Sequence, residues 1–214
     1  MIKTLHYPST GADTLLIMLP GAGITAEDFA ARGMVAAMQA RRSVEIIAAE
    51  PDIALYLEDG VTDALHEHVV APALARGIKR IWLLGISLGG MGALLYARSY
   101  QQHMENIFLI APFLGTKGTV AELARAGGIM PWRAGSSRAT DPEQNLLVWL
   151  QAHLASGTYQ PALYLGYAAQ DRFAASHEML AACLPQTRVA AVQGGHDWPS
   201  WRALWQQILA LLDG

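Results

Sequence analysis

Three residue types that can cooperate in moving a proton and attacking a carbonyl occur along this chain in the order serine, aspartate, histidine. Ser87 sits at the centre of Gly85-Ile86-Ser87-Leu88-Gly89, where an apolar run gives way to an Ala-rich, helix-like one. A serine hydroxyl is a weak nucleophile at its own pKa, so it needs a neighbouring base and a site for the anion it generates. G-x-S-x-G alone is a modest signal, and a Gly-rich turn with Ser87 merely capping a helix would look the same. Asp171 follows the apolar stretch Leu163-Tyr164-Leu165-Gly166-Tyr167; alone it reads as a solvated or helix-capping carboxylate. Beside an imidazole, the same group could fix the tautomer and favour the transient imidazolium. His196 lies in Gly194-Gly195-His196-Asp197-Trp198, whose glycines let the loop approach a sheet edge. There it could take the Ser87 proton and return it to a leaving group. Asp197 adjoins it in sequence, but adjacency does not orient side chains, and Asp197 is expected to brace the terminal helix.

An anion site is offered by Pro20-Gly21-Ala22-Gly23, which can expose consecutive N–H groups. The Ala22 N–H is the expected oxyanion donor from this loop, with Gly23 its rival and also placed against substrate. The Leu88 N–H, at the start of the following helix, is the second donor. Neither G-x-x-x-x-G-K-[ST] nor a complete G-x-G-x-x-G is present, which argues against a nucleotide. His66 and His68 are spaced i, i+2 and do not face one another on a helix, so no metal site is expected. His153 and His177 are expected at the surface. Phe113, Met130, Trp132 and Trp149 could furnish apolar substrate walls, and Trp198 could shape the histidine loop, although each aromatic could equally serve to pack a helix.

These groups need a scaffold that ends several strands at one edge. Residues 14–19, 44–48, 79–84, 106–110, 161–166 and 188–192 form short apolar runs separated by longer helical stretches. Continuous rather than alternating hydrophobics indicate strands covered on both faces, and the spacing implies parallel crossovers. The expected fold is therefore a three-layer α/β/α sandwich with a mostly parallel sheet of about six strands, with residues 2–6 as a candidate edge strand. Helices are expected at 25–39, 57–75, 88–100, 173–184 and 199–212. Residues 115–159 interrupt the rhythm with Gly127-Gly128, Pro131, Gly135-Ser136-Ser137 and Asp141-Pro142. A small cap or surface excursion is expected there, within a single domain spanning 1–214.

The chain has 214 residues, 52% of them apolar and 15% charged, with a net charge of −3. That composition excludes disorder, and no cationic cluster is dense enough to follow a nucleic-acid backbone. Cys183 is the single cysteine, so no intrachain disulfide can form; it reads as a small buried hydrophobe. No apolar run approaches the roughly 20 residues that span a bilayer. A soluble, cytoplasmic protein is expected, with its oligomeric state open.

Taken together, the loop at 19–23, Gly85-Ile86-Ser87-Leu88-Gly89, Asp171 and Gly194-Gly195-His196 make the chain resemble the α/β-hydrolase superfamily, particularly compact carboxylesterases and acyl-protein thioesterase relatives. The resemblance implies Ser87 as nucleophile, Asp171 as acid, His196 as base, and Ala22 and Leu88 as oxyanion donors. It implies hydrolysis of a small-molecule ester or thioester through an acyl-enzyme, with no cofactor. A peptidase, an acyltransferase or a non-catalytic binding protein on the same scaffold remains the alternative. Many relatives carry His-Gly where this chain has Pro20-Gly21, and the region before residue 14 is too short for a full pair of leading strands.

Overall fold

The computed structural model describes residues 1–135, 141–157 and 160–213. Seven strands, β1 (Ile2–Tyr7), β2 (Thr14–Leu19), β3 (Glu45–Pro51), β4 (Arg80–Ile86), β5 (Met104–Ile110), β6 (Ala162–Ala168) and β7 (Val189–Val192), form one sheet in the order β1-β3-β2-β4-β5-β6-β7. Only β1 runs antiparallel, against β3. The edge strand expected at 2–6 is therefore real and brings the sheet to seven strands.

The period-two alternation of the strands divides their side chains cleanly between two cores. Leu15, Ile17 and Leu19 of β2, Ile81 and Leu83 of β4, and Ile107 and Leu109 of β5 enter one core. Leu16 and Met18, Trp82 and Leu84, and Phe108 and Ile110 enter the other. The first core is closed by α4 (Val61–Leu65), α5 (Ala71–Ala75), α6 (Leu88–Ser99), α8 (Pro142–Ala155) and α9 (Ala174–Ala181). The second is closed by α1 (Ala26–Ala31), α2 (Met34–Gln39) and α10 (Trp198–Asp213). Trp205 of α10 is fully buried there, its Nε1–H donating to Met34 O at 3.0 Å.

Right-handed crossovers explain the division. The chain steps outward from β2 to β3 through α1 and α2, then reverses and runs from β4 to β7 with its crossover helices on the opposite face. The reversal lies between β2 and β4, where open α/β sheets leave a crevice at their C-terminal edge. Leu19 pairs with Gly85 in register, so the loop after β2 and the turn after β4 leave the sheet side by side.

Two expected helices are broken. The 25–39 segment splits at Gly33, whose φ of 79° separates α1 from α2. The 57–75 segment becomes a short α3 (Ile53–Leu57), then α4, a π-helical turn (His66–Val70) and α5. Pro72 near the start of α5 has no N–H to donate back along the helix, and the wider turn precedes it. Within 115–159 the structure shows α7 (Lys117–Arg125) and α8; the Ser136-Ser137 pair expected to interrupt this stretch lies outside the described residues. No helix among the described residues is long and apolar enough to cross a membrane.

Glycine matters most where β4 turns into α6. A Cβ on Gly89 would collide with the Leu19 carbonyl, and one on Gly85 with the Gly89 backbone. A Cβ on Gly118, in α7, would meet only Thr116 Oγ1, at an ordinary contact distance of 3.8 Å. Gly89→Ala should therefore lower stability by at least about 2 kcal/mol, whereas Gly118→Ala should raise it by about 0.5–1 kcal/mol through reduced chain entropy. Urea unfolding of the two variants checks this opposition of sign.

Candidate active site

Ser87 stands between β4 and α6 with φ 53° and ψ −115°, a backbone conformation that L-residues rarely adopt. The surroundings hold it there. Its N–H donates to Ile110 O (3.0 Å), and its carbonyl accepts from Gly90 N (2.9 Å) and Phe113 N (2.8 Å). A Cβ on Gly90 would lie 2.7 Å from Pro112 Cβ, and one on Gly21 3.0 Å from Ser87 Cβ, so the neighbouring loops press directly on the turn. The side chain projects at the C-terminal edge of the sheet.

Asp171 and His196 arrive from the ends of β6 and β7. Their loops are tied to each other: Ala169 N donates to Val192 O and Gln170 N to Gly194 O, both at 2.9 Å. His196 Nδ1–H donates to Asp171 Oδ2 at 2.7 Å, and the Ser87 hydroxyl donates to His196 Nε2 at 3.0 Å. The other carboxylate oxygen of Asp171 accepts from Phe173 N at 2.8 Å. Burial alone would push this carboxyl up. The bonds from His196 and the Phe173 N–H outweigh it and hold Asp171 below the usual carboxylate range. The carboxylate thus stays ionised and fixes the imidazole with Nε2 free to accept the serine proton. The His196 ring is further confined edge-on by Phe173 and Trp201, at 5.2 and 5.1 Å between centroids. Asp197 does not compete for it: its side chain accepts from Ser200 N at 3.0 Å and caps the start of α10.

Beside Ser87, on the side of the loop after β2, lies a cavity of about 460 Å³ lined by Gly21, Ala22, Gly23, Glu50, Tyr56 and Leu88, among others. The Ala22, Gly23 and Leu88 N–H groups donate to no acceptor among the described residues. Leu88 begins a helix of 12 residues, whose N-terminal dipole favours negative charge at this point. A second cavity, of about 700 Å³ and mainly apolar, opens on the opposite side between Phe113 and Phe173, whose rings meet edge-on at 5.7 Å.

The residues expected to touch substrate are dispersed. Gly23 lines the first cavity and Phe113 the second. Met130, 39% exposed, lines a neighbouring apolar recess with Met179 and the half-buried Cys183, which is less enclosed than its sequence context implied. Trp132 is a core residue instead of a wall: it is 3% exposed, packed in the core that α8 closes. Trp149 is part-buried against that core and stacks on His153 at 5.3 Å, because these helices need aromatic bulk to cover the sheet. Trp198 packs edge-on against Phe29 and Trp201, supporting the histidine loop from behind.

His153 and His177 are buried, contrary to expectation, at 5% and 0% exposure. His177 Nε2–H donates to Pro112 O at 2.9 Å, linking α9 to the loop that presses on Ser87. Phe173 and Tyr56 escape the sequence reading, which names His177 only as a surface group. For Phe173 the sequence offers only its place two residues beyond the acid, which does not by itself turn the ring toward the imidazole. Tyr56 lay in what read as the approach to a long helix. Its hydroxyl is enclosed against Gly92, and burial raises it above the ordinary phenol range.

Two outcomes follow for stability. Ser87→Gly should stabilise the fold by about 1 kcal/mol in urea denaturation, because glycine accepts this backbone conformation without strain; unchanged or lower stability would contradict the strain. Burial also lowers His177 and His153 below the ordinary imidazole value of 6.5. Below that pH the unfolded chain gains protons that the folded protein excludes, so stability present above it is lost as pH falls toward the folded-state values. His177→Gln should flatten this decline in the urea midpoint between about pH 6.5 and 5. An unchanged slope would contradict it.

A sequence model described as alpha/beta hydrolase fold matches residues 50–186. No curated protein sequence matches the chain. Among solved structures, S-formylglutathione hydrolase (FrmB) from Staphylococcus aureus is similar at 14% identity and a TM-score of 0.64, over 96% of this chain and 83% of that one. The fluorophosphonate-binding serine hydrolase FphF of the same organism is similar at 14% identity and a TM-score of 0.64, over 100% and 99%. Carboxylesterase CesB (YbfK) from Bacillus subtilis is similar at 15% identity and a TM-score of 0.59, over 99% and 87%. These likenesses are of fold, and with the matched family model they lead to one conclusion: the chain belongs to the alpha/beta hydrolase fold family.

Proposed function

We propose that the protein hydrolyses small-molecule carboxylic esters or thioesters through an acyl-enzyme on Ser87. The observation that carries this reading is the unbroken line from Asp171 Oδ2 to His196 Nδ1 (2.7 Å) and from His196 Nε2 to Ser87 Oγ (3.0 Å). In that line Ser87 is the nucleophile, His196 the general base and acid, and Asp171 the group that orients and charge-balances the imidazole.

As Ser87 Oγ attacks the carbonyl carbon, its proton passes to His196 Nε2 and the carbonyl π electrons move onto oxygen. The Leu88 and Ala22 N–H groups receive that oxyanion, with Gly23 beside them. Being fixed in the backbone, these donors bind the tetrahedral oxygen better than the planar ester, which is what lowers the barrier. Collapse restores the carbonyl, breaks the bond to the alcohol or thiol, and returns the proton from Nε2 to that leaving group. Water then gives a proton to the same nitrogen as it adds to the acyl carbon, and collapse breaks the bond to Ser87 Oγ, which takes that proton back from Nε2 as the acid leaves. No cofactor is needed to balance these steps.

The apolar cleft between Phe113 and Phe173 suits one arm of the substrate, with α7 as its outer wall. In this reading residues 115–159 act as a small cap on a single hydrolase domain. A cytoplasmic setting fits a chain with one cysteine and no pairing partner for it.

Rapid mixing with para-nitrophenyl acetate tests the assignment. The wild type should release a burst of about one equivalent of nitrophenol per Ser87, as expected when acylation outruns deacylation. Ser87→Ala should show none, and Asp171→Asn should lose about 10³–10⁴ in kcat by leaving the imidazole in the wrong tautomer. A burst of equal size in Ser87→Ala would refute the nucleophile.

A further inference from the structure

The cleft beside His196 is apolar inside and cationic at its rim. Phe113, Phe173, Val120 and Ala124 provide hydrocarbon walls, while Lys117 and Arg172 stand at its mouth. The Arg172 guanidinium lies over the Phe173 ring, 4.9 Å from its centroid, and that ring is itself 5.2 Å from the His196 ring. The charge is thus held on an aromatic platform within about 10 Å of the imidazole. Neither Lys117 nor Arg172 makes an ion pair among the described residues. The carboxylate at this end of α7, Glu143, is already engaged: it accepts from Thr116 N at 3.0 Å, from the Thr116 hydroxyl, and from Thr119 Oγ1.

We infer that this cleft selects substrates whose apolar arm ends in an anion, a carboxylate being the simplest, which Arg172 and Lys117 receive at the rim. The inference deepens the proposed ester hydrolysis and rests on it. Apolar walls alone would take a plain acyl or alkyl chain. Two exposed cations with no carboxylate partner among the described residues, lining the same cleft as these hydrocarbon walls, favour a chain with negative charge at its tip, because a guanidinium stacked on a ring retains its in-plane donors for a carboxylate. Arg172 and Lys117 are accordingly specificity-determining residues and take no part in proton transfer.

Two matched ester pairs test this on the full-length protein. Para-nitrophenyl hydrogen adipate against para-nitrophenyl hexanoate places the carboxylate on the acyl arm. The acetate ester of ω-hydroxyhexanoate against hexyl acetate places it on the alcohol arm. In one pair the carboxylate form should be preferred by about fivefold or more in kcat/KM at low salt, mainly through KM. High ionic strength should shrink that preference. The pair that shows it identifies the arm that enters the cleft. Combining Arg172→Gln with Lys117→Gln should bring the ratio to one or below, whereas Lys79→Gln, at the opposite edge of the sheet, should preserve it. Absence of a carboxylate preference in both pairs, or a preference that survives the double substitution, would overturn the inference and leave the Ser87 chemistry standing. Turnover of none of the four esters would instead contradict the hydrolase reading, and the inference would fall with it.

Discussion

Backbone crowding at the turn between β4 and α6 is the constraint on which the rest of the structure depends. Main chain from β2, β4 and α6 meets there without room for a side-chain carbon: a Cβ on Gly85 would strike Gly89, and one on Gly89 would strike Leu19. The close approach lets α6 start immediately after the strand, sets the Leu88 N–H beside the loop at Gly21 and Ala22, and forces Ser87 to φ 53°. A single geometric requirement therefore sets both the Ser87 hydroxyl, in a largely buried position at the C-terminal edge of the sheet, and a place for the negative charge that its attack would create. Its cost is local strain, offset by the hydrogen bonds that Ser87 N and O make to Ile110, Gly90 and Phe113.

The partners of Ser87 are positioned by ordinary sheet geometry. Because β6 and β7 are parallel neighbours, the loops that follow them leave the same edge and can share hydrogen bonds from Ala169 to Val192 and from Gln170 to Gly194. His177 extends this tie toward β5 by holding Pro112, whose neighbour Phe113 in turn holds Ser87. The Ser87, Asp171 and His196 loops are thus cross-braced. The two flanking cavities differ in character: the one at Ala22 and Leu88 mixes the carboxylates of Glu50 and Asp52 with apolar side chains such as Ile24 and Tyr56, whereas the one at Phe113 and Phe173 is mainly apolar with a cationic mouth. That asymmetry would give a substrate a fixed direction across the serine.

Much of this was readable in the sequence, because strands and strand ends announce themselves. Apolar runs such as Leu15-Leu16-Ile17-Met18-Leu19 can only be covered on both faces, and both cores use them in strict alternation. Glycine at 85, 89, 194 and 195 marked the places where loops come close, and those loops carry Ser87 and His196. What escaped was decided by helix orientation, which local composition does not encode. His177 looks like a surface residue until α9 is laid against the sheet with that face inward, and Trp132 looks like a wall until it is needed to fill the core. The π-helical turn at His66–Val70 was hidden for a related reason: Pro72 perturbs a helix whose overall composition is otherwise favourable.

The central claim is that Ser87 is a nucleophile activated by His196. Labelling the folded protein with a fluorophosphonate, followed by peptide mapping, tests it most directly. The account predicts one adduct per chain, on Ser87, with labelling slowed severely by His196→Ala and abolished by unfolding. An adduct on another residue, or Ser87 labelling that proceeds equally fast without His196, would contradict it.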